Sequence, residues 1–390
     1  MSYDVSFRND GRLRLLITVG TRPEIIRLAA VIKKCRACFD TILCHTGQNY
    51  DYNLNGIFFE DLGLAPPEVS LDAAGGDLGE SMGNIISRSY ALMRQIRPDA
   101  LLVLGDTNSC LCVIGAKRLH IPIFHMEAGN RCRDERLPEE TNRRIVDCVS
   151  DVNMAYSERA RDWLLASGLP AERVFVTGSP MAEVLAGQLE KIECSDVHAR
   201  LGLEKGKYIL LSAHREENID DDRCFTSLFT AVNRLAETYG LPVLYSCHPR
   251  SAKKLDETGF RLDPRVIRHA PLGFHDYNCL QMNAFAVISD SGTLPEESSF
   301  FTSAGHPFPA VSIRTSTERP EALDKGCFVL AGIEGDGLLQ AVRTAVALHE
   351  AGDHGIPVPD YTDRNVSSKV VRLIQSYTGI VKKTVWRETE

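Results

Sequence analysis

Residues 13–38 read LRLLITVGTRPEIIRLAAVIKKCRAC, and this stretch decides the fold. Its first eight residues form an apolar run that is typical of a buried strand. The run ends at Gly20, which permits a tight turn, and Pro23 suits the first turn of a helix. A strand, a tight turn and a helix in this order predict one βα unit of a parallel sheet.

The same unit recurs along the chain in two series. Short apolar runs alternate with helical periods, which predicts parallel sheets with helices on both faces. The predicted strands are 13–20, 41–47, 100–106, 121–127, 152–157 and 173–179 in the first series, and 207–215, 241–249, 266–272, 285–292 and 310–314 in the second.

Two series of this kind predict an α/β protein with two Rossmann-type, doubly wound domains. We place the first domain at residues 1–180 and the second at residues 181–374. Residues 364–390 have the pattern of a helix followed by a polar tail. The end of this segment, 375–390, is the candidate for completing the first domain.

The composition excludes several classes of protein. Of 390 residues, 44% are hydrophobic and 25% are charged, as in a soluble globular protein. No apolar run approaches the roughly 20 residues that cross a bilayer, and the first residues do not resemble a secretory signal. The net charge of −8 argues against general binding of nucleic acids or anionic membranes. We therefore expect a cytoplasmic protein.

The 12 cysteines indicate neither disulfides nor a metal site. They are scattered and mostly lie in apolar runs, which predicts buried, reduced thiols. Cys35 and Cys38 form a C-x-x-C pair, but no second pair follows at a spacing that suits zinc. No G-x-G-x-x-G follows a predicted strand, so a nicotinamide cofactor is not supported. We predict no cofactor and no metal.

Almost every predicted strand ends in reactive or hydrogen-bonding residues. In open α/β sheets, ligands bind beyond the carboxyl ends of the strands, so the sequence predicts a shared cleft between the two domains. The polar strand ends read GTRPE, HTGQNYD, GDTNS, HMEAGNR, SAHREEN, CHPR and SDSGT.

In the first domain these residues predict acid–base chemistry. Asp106 and Glu127 each end an apolar strand, where a carboxylate is expensive unless it is paired or catalytic. Glu139 and Arg143 follow nearby, although a spacing of four residues is also that of a solvated salt bridge on a helix. The same reading applies to Glu140 and Arg144.

Two arginines open the first predicted helix. Arg22 and Arg27 would lie where a helix N-terminus can face an anion. The alternative is a well-capped helix with two surface arginines.

In the second domain, residues 289–299 read SDSGTLPEESS and predict a nucleotide-binding turn. The amides of Ser291 and Gly292 could meet a phosphate, and Glu297 could accept two ribose hydroxyls or simply favour the helix dipole. Thr293 and Glu296 have the spacing of a capping box. His214 and His248 also end strands of this domain, and a lone histidine there is more often structural.

Together these motifs resemble the non-hydrolysing UDP-N-acetylglucosamine 2-epimerase family over residues 13–375. The resemblance implies a GT-B-like pair of domains with an interdomain cleft, UDP bound mainly by the second domain, and a homodimer. It also implies epimerisation at C2 by elimination and re-addition of UDP. The matching motifs are GTRPE, TGQN, GDT, EAG, PEE-x-NR, HRE, SDSG, PEES and TERPE.

By matching position, the resemblance implies a role for individual residues. Its catalytic set is Asp106, Glu127, Glu139 and His214. Its sugar-nucleotide contacts are Arg22, Arg27, Gln48, Arg143, Tyr277 beside the uracil, Ser291 and Gly292 at the diphosphate, Glu297 at the ribose, and Arg314, with His248 included by position only.

Longer motifs are similar to the branch that makes UDP-N-acetyl-L-fucosamine from UDP-2-acetamido-2,6-dideoxy-L-talose for capsule or O-antigen. These are HTGQNYDYNLN, LGDTNSC, HMEAGNRC, ETNRRIVD, SAHREEN and GFHDYN. Asn49, Asn130 and Thr293 depart from the common UDP-GlcNAc pattern, and residues 301–307 carry an apparent insertion. A UDP-GlcNAc 2-epimerase is the alternative.

Three other functions stay open at the level of sequence. They are a GT-B glycosyltransferase, an epimerase that releases free sugar, and a sugar-nucleotide sensor without catalysis. The carboxylates of the first domain favour an epimerase, because a domain that only binds an acceptor would not need them.

Overall fold

The computed structural model describes residues 2–47, 58–132, 134–135 and 137–388. The chain divides into two compact units. Unit 1 comprises Met1–Ala186 and Asp363–Glu390, and unit 2 comprises Gly187–Thr362. Each unit contains one parallel sheet, with seven strands in unit 1 and six in unit 2. The predicted α/β class with two doubly wound sheets is therefore confirmed.

Unit 1 has the strand order β3-β2-β1-β4-β5-β6-β7. Its strands are β1 (Arg14–Val19), β2 (Asp40–His45), β3 (Val69–Ser70), β4 (Ala100–Leu104), β5 (Ile123–Ala128), β6 (Val152–Ala155) and β7 (Val174–Val176). Its first helices are α1 (Arg22–Cys38), α2 (Leu78–Ile96), α3 (Cys112–Arg118), α4 (Pro138–Val149), α5 (Glu158–Ala166) and α6 (Met181–Glu193), which ends in unit 2.

Unit 2 repeats this winding with the order β10-β9-β8-β11-β12-β13. Its strands are β8 (Ile209–Ser212), β9 (Val243–Ser246), β10 (Val266–His269), β11 (Ala286–Ser289), β12 (Ala310–Ser312) and β13 (Val329–Leu330). Its helices are α7 (Val197–Leu201), α8 (Glu216–Ile219), α9 (Asp222–Tyr239), α10 (Pro249–Thr258), α11 (Phe274–Met282), α12 (Leu294–Ser303), α13 (Pro320–Asp324) and α14 (Gly335–Glu350).

The last helix, α15 (Val366–Thr384), belongs to unit 1 and packs on α1. Its N-terminal turn is fixed by Glu183, whose carboxylate accepts hydrogen bonds from the Ser367 amide at 2.8 Å and hydroxyl at 2.5 Å. Trp386 follows the helix and stacks on His120 with ring centroids 4.2 Å apart. The C-terminal segment is thus anchored to unit 1 along its length.

The central strands explain why these sequences read as apolar runs. Every residue of β4 and β5 is buried, because helices cover both faces of a parallel sheet. Seven of the 12 cysteines are buried, in agreement with the predicted burial of these thiols. The two strands that the sequence did not predict, β3 and β13, have two residues each.

The strand order reverses once in each sheet, between β1 and β4 in unit 1 and between β8 and β11 in unit 2. At such a switch point, loops leave neighbouring strands in opposite directions and open a crevice at the carboxyl ends. The polar motifs GTRPE and GDTNS follow the first pair of strands, and SAHRE and SDSGT follow the second. The fold thus gathers the predicted residues at two positions, one in each unit.

Two further findings apply to the described part of the chain. No helix there is long and apolar enough to cross a membrane. No group of three or more His, Cys, Asp or Glu side chains there has the arrangement of a metal site.

Candidate active site

Asp106 lies just beyond β4 and is held by α4. Its side chain accepts two hydrogen bonds from Arg143, with Nε at 2.7 Å and Nη2 at 2.6 Å from Oδ2. Asn142 donates to its backbone carbonyl at 2.9 Å. Asp106 is 9% exposed and Arg143 is also buried. The structure therefore brings together two residues that the sequence placed in one site.

The charged start of α4 is not simply a solvated face. Arg143 points inward to Asp106 and also donates to Glu140 at 2.9 Å. Burial opposes the ionisation of Glu140, yet the Cys132 amide and Arg143 outweigh it and lower the pKa of that carboxyl. The predicted Glu140–Arg144 salt bridge is present, at 3.4 Å. Glu139 is half-buried in the first turn of α4.

Glu127 lies in β5 and has an unusual backbone. Its φ is +63°, in the left-handed region that non-glycine residues rarely adopt. The side chain is 5% exposed, forms an ion pair with the buried Arg27, and accepts a hydrogen bond from Asn130 at 3.3 Å. Strained residues of this kind persist where the surroundings fix them, which is common at functional sites.

A glycine beside Glu127 makes room for its carboxylate. Gly105 has a φ of +82°, and a Cβ atom there would lie 3.1 Å from Oε2 of Glu127. Residue 105 also precedes Asp106, so one turn serves both carboxylates. The glycine of the GDT motif after β4 is therefore favoured by the approach of Glu127 from the neighbouring strand β5.

A buried histidine connects the turn that precedes Asp106 with the residues on either side of Glu127. His125 is in β5, and its Nε2 lies 2.8 Å from the carbonyl oxygen of Gly105. Its Nδ1 lies 3.1 Å from Asp147, which also binds Arg131 at 2.6 Å and the Gly129 amide at 3.2 Å. Both ring nitrogens thus face acceptors, and the cluster fixes the loops on either side of Glu127.

The other predicted site residues of unit 1 are Arg22, Arg27 and Gln48. The Arg22 guanidinium lies over the Phe58 ring, 5.3 Å from its centroid. Arg27 is one turn along α1 and reaches Glu127. The predicted contact at Gln48 lies outside the described residues, as does Asn49.

Asp290 is the centre of the crevice in unit 2. It is fully buried and accepts hydrogen bonds at 2.9 Å from the backbone amides of both His214 and Arg215, and at 3.1 Å from Asn218. The His214 Nδ1 atom lies 3.1 Å from its other oxygen. Burial alone would raise the pKa of Asp290, but His214 and these amides hold it well below its ordinary value.

His214 is consequently oriented by a carboxylate, with 39% of its side chain exposed. Its ring centroid is 6.4 Å from that of His248. His248 caps α10 by accepting the Arg250 amide at 3.4 Å, which is the structural role that a lone histidine often has.

Three guanidinium groups surround Gly292. A Cβ atom at this glycine would lie 3.7 Å from Arg314, 3.7 Å from Arg319 and 3.8 Å from Arg215. Arg314 forms a two-pronged ion pair with Glu318, at 2.6 and 2.7 Å. Such a cluster of planar cations suits a diphosphate.

The predicted capping box at the start of α12 is wrong. Thr293 has helical dihedrals, φ −90° and ψ −12°, so its hydroxyl does not cap the helix. It donates instead to Glu297 at 2.7 Å, while the predicted partner Glu296 pairs with Arg319. The Ser291 amide donates to Ser289 Oγ at 3.0 Å, so a phosphate at that amide would displace this bond.

Glu297 and Tyr277 meet at the same edge of the sheet. Glu297 accepts from Thr293 and from the buried Gln281, each at 2.7 Å. Burial raises the pKa of Glu297, and burial next to that carboxylate raises the pKa of Tyr277. The Tyr277 side chain interacts with Ser212, at the end of β8.

Sequence reasoning missed several buried charged residues of these two crevices. Asp290 ends an apolar strand as Asp106 and Glu127 do, so the same rule could have found it. Four others have partners that become neighbours only through the strand order: His125, Asp147 and Arg319, which are buried, and Arg215, which is half-buried. The last two, Glu24 and Glu318, are buried and also bond to residues within four positions.

Comparison with known proteins shows close similarity over the whole chain. The model of the UDP-N-acetylglucosamine 2-epimerase family matches residues 33–375. The structure of UDP-N-acetylglucosamine 2-epimerase from Rickettsia bellii is 41% identical and covers 97% of this chain and 100% of its own, with a TM-score of 0.87.

Two other relatives are similar over most of the chain at lower sequence identity. The Methanocaldococcus jannaschii UDP-GlcNAc 2-epimerase, in complex with UDP-GlcNAc and UDP, is 29% identical over 93% of this chain and 99% of its own, with a TM-score of 0.86. The UDP-2,3-diacetamido-2,3-dideoxy-D-glucuronate 2-epimerase of Pseudomonas aeruginosa is 32% identical over 86% of this chain and 92% of its own. This chain therefore belongs to the UDP-N-acetylglucosamine 2-epimerase family.

Proposed function

We propose that this protein epimerises C2 of a UDP-linked N-acetylamino sugar by eliminating UDP and adding it back. The observation that carries the proposal is the buried, strained Glu127, paired with Arg27 and close to the turn that holds Asp106. Solved and curated relatives with this fold are named as 2-epimerases of UDP-sugars.

The chemistry explains why UDP has to leave. The C2 hydrogen beside an acetamido group is barely acidic, so direct removal would face a prohibitive barrier. Loss of UDP gives C1 oxocarbenium character, which acidifies that hydrogen. A base then removes it, and the resulting glycal takes a proton on its other face before UDP adds back. Every step is an elimination or an addition, and none changes the oxidation state overall.

The residues of unit 2 suit the departing diphosphate. Arg215, Arg314 and Arg319 approach Gly292 from three directions, and preorganised cations of this kind stabilise charge that develops on a leaving group. Glu297 has both oxygens fixed by donors and would accept the ribose hydroxyls, with Tyr277 beside the uracil. His214, oriented by Asp290, would bind the diphosphate.

The residues of unit 1 suit proton transfer. Glu127 pairs with a guanidinium, which favours the carboxylate form that a base requires. Asp106 is likewise bound by Arg143, and Glu139 stands in the first turn of α4. Inversion at C2 needs proton transfer on two faces of the sugar, and these three carboxylates are our candidates for it.

For the sugar, we propose UDP-2-acetamido-2,6-dideoxy-L-talose, which would give UDP-N-acetyl-L-fucosamine for capsule or O-antigen. The support is the set of branch motifs, together with Asn130, which contacts the Glu127 carboxylate directly. UDP-GlcNAc is the second candidate, because relatives at 41% and 29% identity are named for it. A relative at 32% is named for a third sugar, so overall identity does not select among them.

The experiment is to incubate the purified protein with each UDP-sugar in D2O and follow C2 by NMR. Deuterium at C2 with UDP still attached supports the proposed reaction, and the preferred sugar identifies the branch. Transfer that needs an added acceptor would indicate a glycosyltransferase. Accumulation of free sugar would indicate a hydrolysing enzyme.

We further propose that the protein acts as a cytoplasmic homodimer. The family resemblance supports the homodimer, and the composition and scattered cysteines of the sequence support the location. Sedimentation equilibrium of the purified chain, whose protomer mass is 43.2 kDa, tests the oligomeric state directly.

A further inference from the structure

A carboxyl group that has no place in the chemistry described so far lies beneath unit 1's switch point. Glu24, in the first turn of α1, is fully buried. Its Oε2 accepts hydrogen bonds from the Gly20 amide at 3.0 Å and the Thr21 hydroxyl at 2.8 Å. Its Oε1 is bonded to the Ser109 hydroxyl.

A chain of hydroxyl groups leads from Glu24 to the active-site loop. The Ser109 Oγ is 2.6 Å from the Thr107 Oγ1, and either atom can donate in that bond. Thr107 is half-buried and directly follows Asp106, whereas Ser109 is buried. Three groups in sequence thus connect an interior carboxyl to the surface of the loop, and each can both give and take a proton when Glu24 is protonated.

The surroundings of Glu24 favour its neutral form. Burial raises the pKa of this carboxyl above its ordinary value, although its donors and Arg27 oppose the shift. The Arg27 guanidinium is already paired with Glu127. The pKa of Cys112 nearby is raised by burial to about 12, and burial also raises the pKa of Cys110. Glu24 is therefore the one carboxyl of this cluster, and its pKa lies above the ordinary carboxyl value because of burial.

We propose that Glu24 is a proton store for the C2 reaction, and that Ser109 and Thr107 conduct the proton between it and the loop of Asp106. Protonated Glu24 gives its proton to Ser109 Oγ, Ser109 passes its own to Thr107 Oγ1, and Thr107 passes its own to the Asp106 carboxylate, which protonates C2 of the glycal. The base on the other face releases to solvent the proton that it took from C2, and solvent returns one proton along the same chain to Glu24, so no proton is gained or lost over the cycle. The role of this proton in catalysis rests on the proposed epimerase function. The presence of a protonated Glu24 does not depend on that function.

A purely structural role predicts something different. A glutamate in the first turn that binds the preceding amides also secures the start of a helix. In that role a glutamine, which keeps acceptor and size, should substitute with little effect on catalysis. The hydroxyl chain should then be dispensable as well.

The first test is infrared difference spectroscopy of the full chain without substrate. We expect the difference between the wild-type and Glu24→Gln spectra at pH 7 to contain the carbonyl stretch of a protonated carboxylic acid. Absence of that band from the difference spectrum would overturn the proposal. This measurement does not depend on the enzyme's substrate, so it stands even if the proposed function fails.

The second test is deuterium exchange at C2 in the same D2O assay. Glu24→Gln and Ser109→Ala should slow exchange by about 10²-fold or more, the range of positioned acid–base groups, while UDP binding by calorimetry is unchanged. The control is Thr21→Val, which removes a donor to Glu24 but leaves the hydroxyl chain intact. Its exchange rate should stay near that of the wild type.

The outcomes separate the two proposals. If the wild type exchanges C2 but Glu24→Gln and Ser109→Ala do so equally fast, the relay is refuted and the epimerase stands. If Thr21→Val slows exchange as much as the other two variants, the role of Glu24 is to secure the helix start, which also refutes the relay. Circular dichroism and retained UDP affinity identify any variant that has simply lost its fold, and Thr107→Val then tests the chain from its outer end.

Discussion

Two carboxyl groups, one in each unit, occupy equivalent switch points and behave in opposite ways. Glu24 follows β1 and Asp290 follows β11, and both are fully buried. Burial and its few donors leave the pKa of Glu24 raised, whereas the pKa of Asp290 is lowered despite the same burial. Burial therefore does not decide the charge of a buried acid; the number and kind of its donors do.

The cause is the position of each carboxyl relative to the backbone. Asp290 ends its strand and receives two amide hydrogens from the loop after β8, together with Asn218 and the His214 ring. Glu24 lies one turn into a helix and receives one amide hydrogen and two hydroxyls. The carboxyl at the switch point of unit 2 is thereby held as an anion, whereas the pKa of the carboxyl at the switch point of unit 1 is raised.

The largest expected effect comes from the acid–base side of this comparison. Glu127→Gln should reduce C2 deuterium exchange by about 10²–10⁴-fold, because it removes a proton acceptor while keeping the side chain's size. UDP affinity, measured by calorimetry, should be largely retained, since most of the UDP contacts that we propose lie in unit 2. Unchanged exchange would remove Glu127 from the acid–base role.

Asp290→Asn should cause the next largest effect, on stability. An asparagine cannot accept from both backbone amides and the imidazole, so we expect a loss of about 3–5 kcal/mol at pH 7, as for other broken buried pairs. Because the pKa of Asp290 is lowered by folding, its contribution is present above the ordinary carboxyl value near pH 4 and is lost as the pH falls through the folded value.

Calorimetric melting of unit 2 at pH 7 and at pH 3 checks this prediction. The wild type and the variant should differ most at pH 7 and converge at low pH. Asp256→Asn is the matched control, because its carboxylate pairs with Arg268 at 2.9 Å on the surface of the same unit. A difference that did not depend on pH would mean that packing, not charge, is what the variant loses.

Gly105→Ala should have a smaller effect on stability but should also affect exchange. The added Cβ would lie 3.1 Å from Oε2 of Glu127, in a backbone conformation with φ +82° that costs an L-residue about 1–2 kcal/mol. Gly83→Ala in α2 is the control, since a Cβ there meets nothing within 4 Å. Exchange that is slowed only in Gly105→Ala would show that this turn positions Glu127; equal rates would show that the loop adapts.

Sequence reasoning succeeded where the physical rule is local. Asp106 and Glu127 were found because a carboxylate at the end of an apolar strand needs a partner, and the structure supplies Arg143 and Arg27. The apolar runs themselves predicted both sheets, because strands buried on both faces cannot be anything but apolar.

It failed where the decisive contact joins distant parts of the chain. His214 meets Asp290 across 76 residues because β8 pairs with β11, and no local pattern contains that register. Thr293 was misassigned for a different reason. The capping-box spacing is a statement about side chains in an extended cap, and the helical backbone of Thr293 turns its hydroxyl to Glu297 instead.

The smallest expected effect concerns the pH dependence of stability that Glu24 causes. Because the pKa of Glu24 is raised by folding, its contribution to stability is present below the ordinary carboxyl value and is lost as the pH rises through the folded value. Glu24→Gln has no such titration, so its stability relative to the wild type should rise as the pH increases above the ordinary carboxyl value, by an amount on the order of one neutral hydrogen bond, about 1 kcal/mol. Glu140→Gln, in the same unit, should show no such rise, since the pKa of Glu140 is lowered and its titration lies below the ordinary carboxyl value. Thermal melting of both variants and the wild type between pH 5 and pH 8 checks this. Absence of the rise in Glu24→Gln as well would contradict the raised pKa of Glu24, because it would mean that both carboxyls are held as anions.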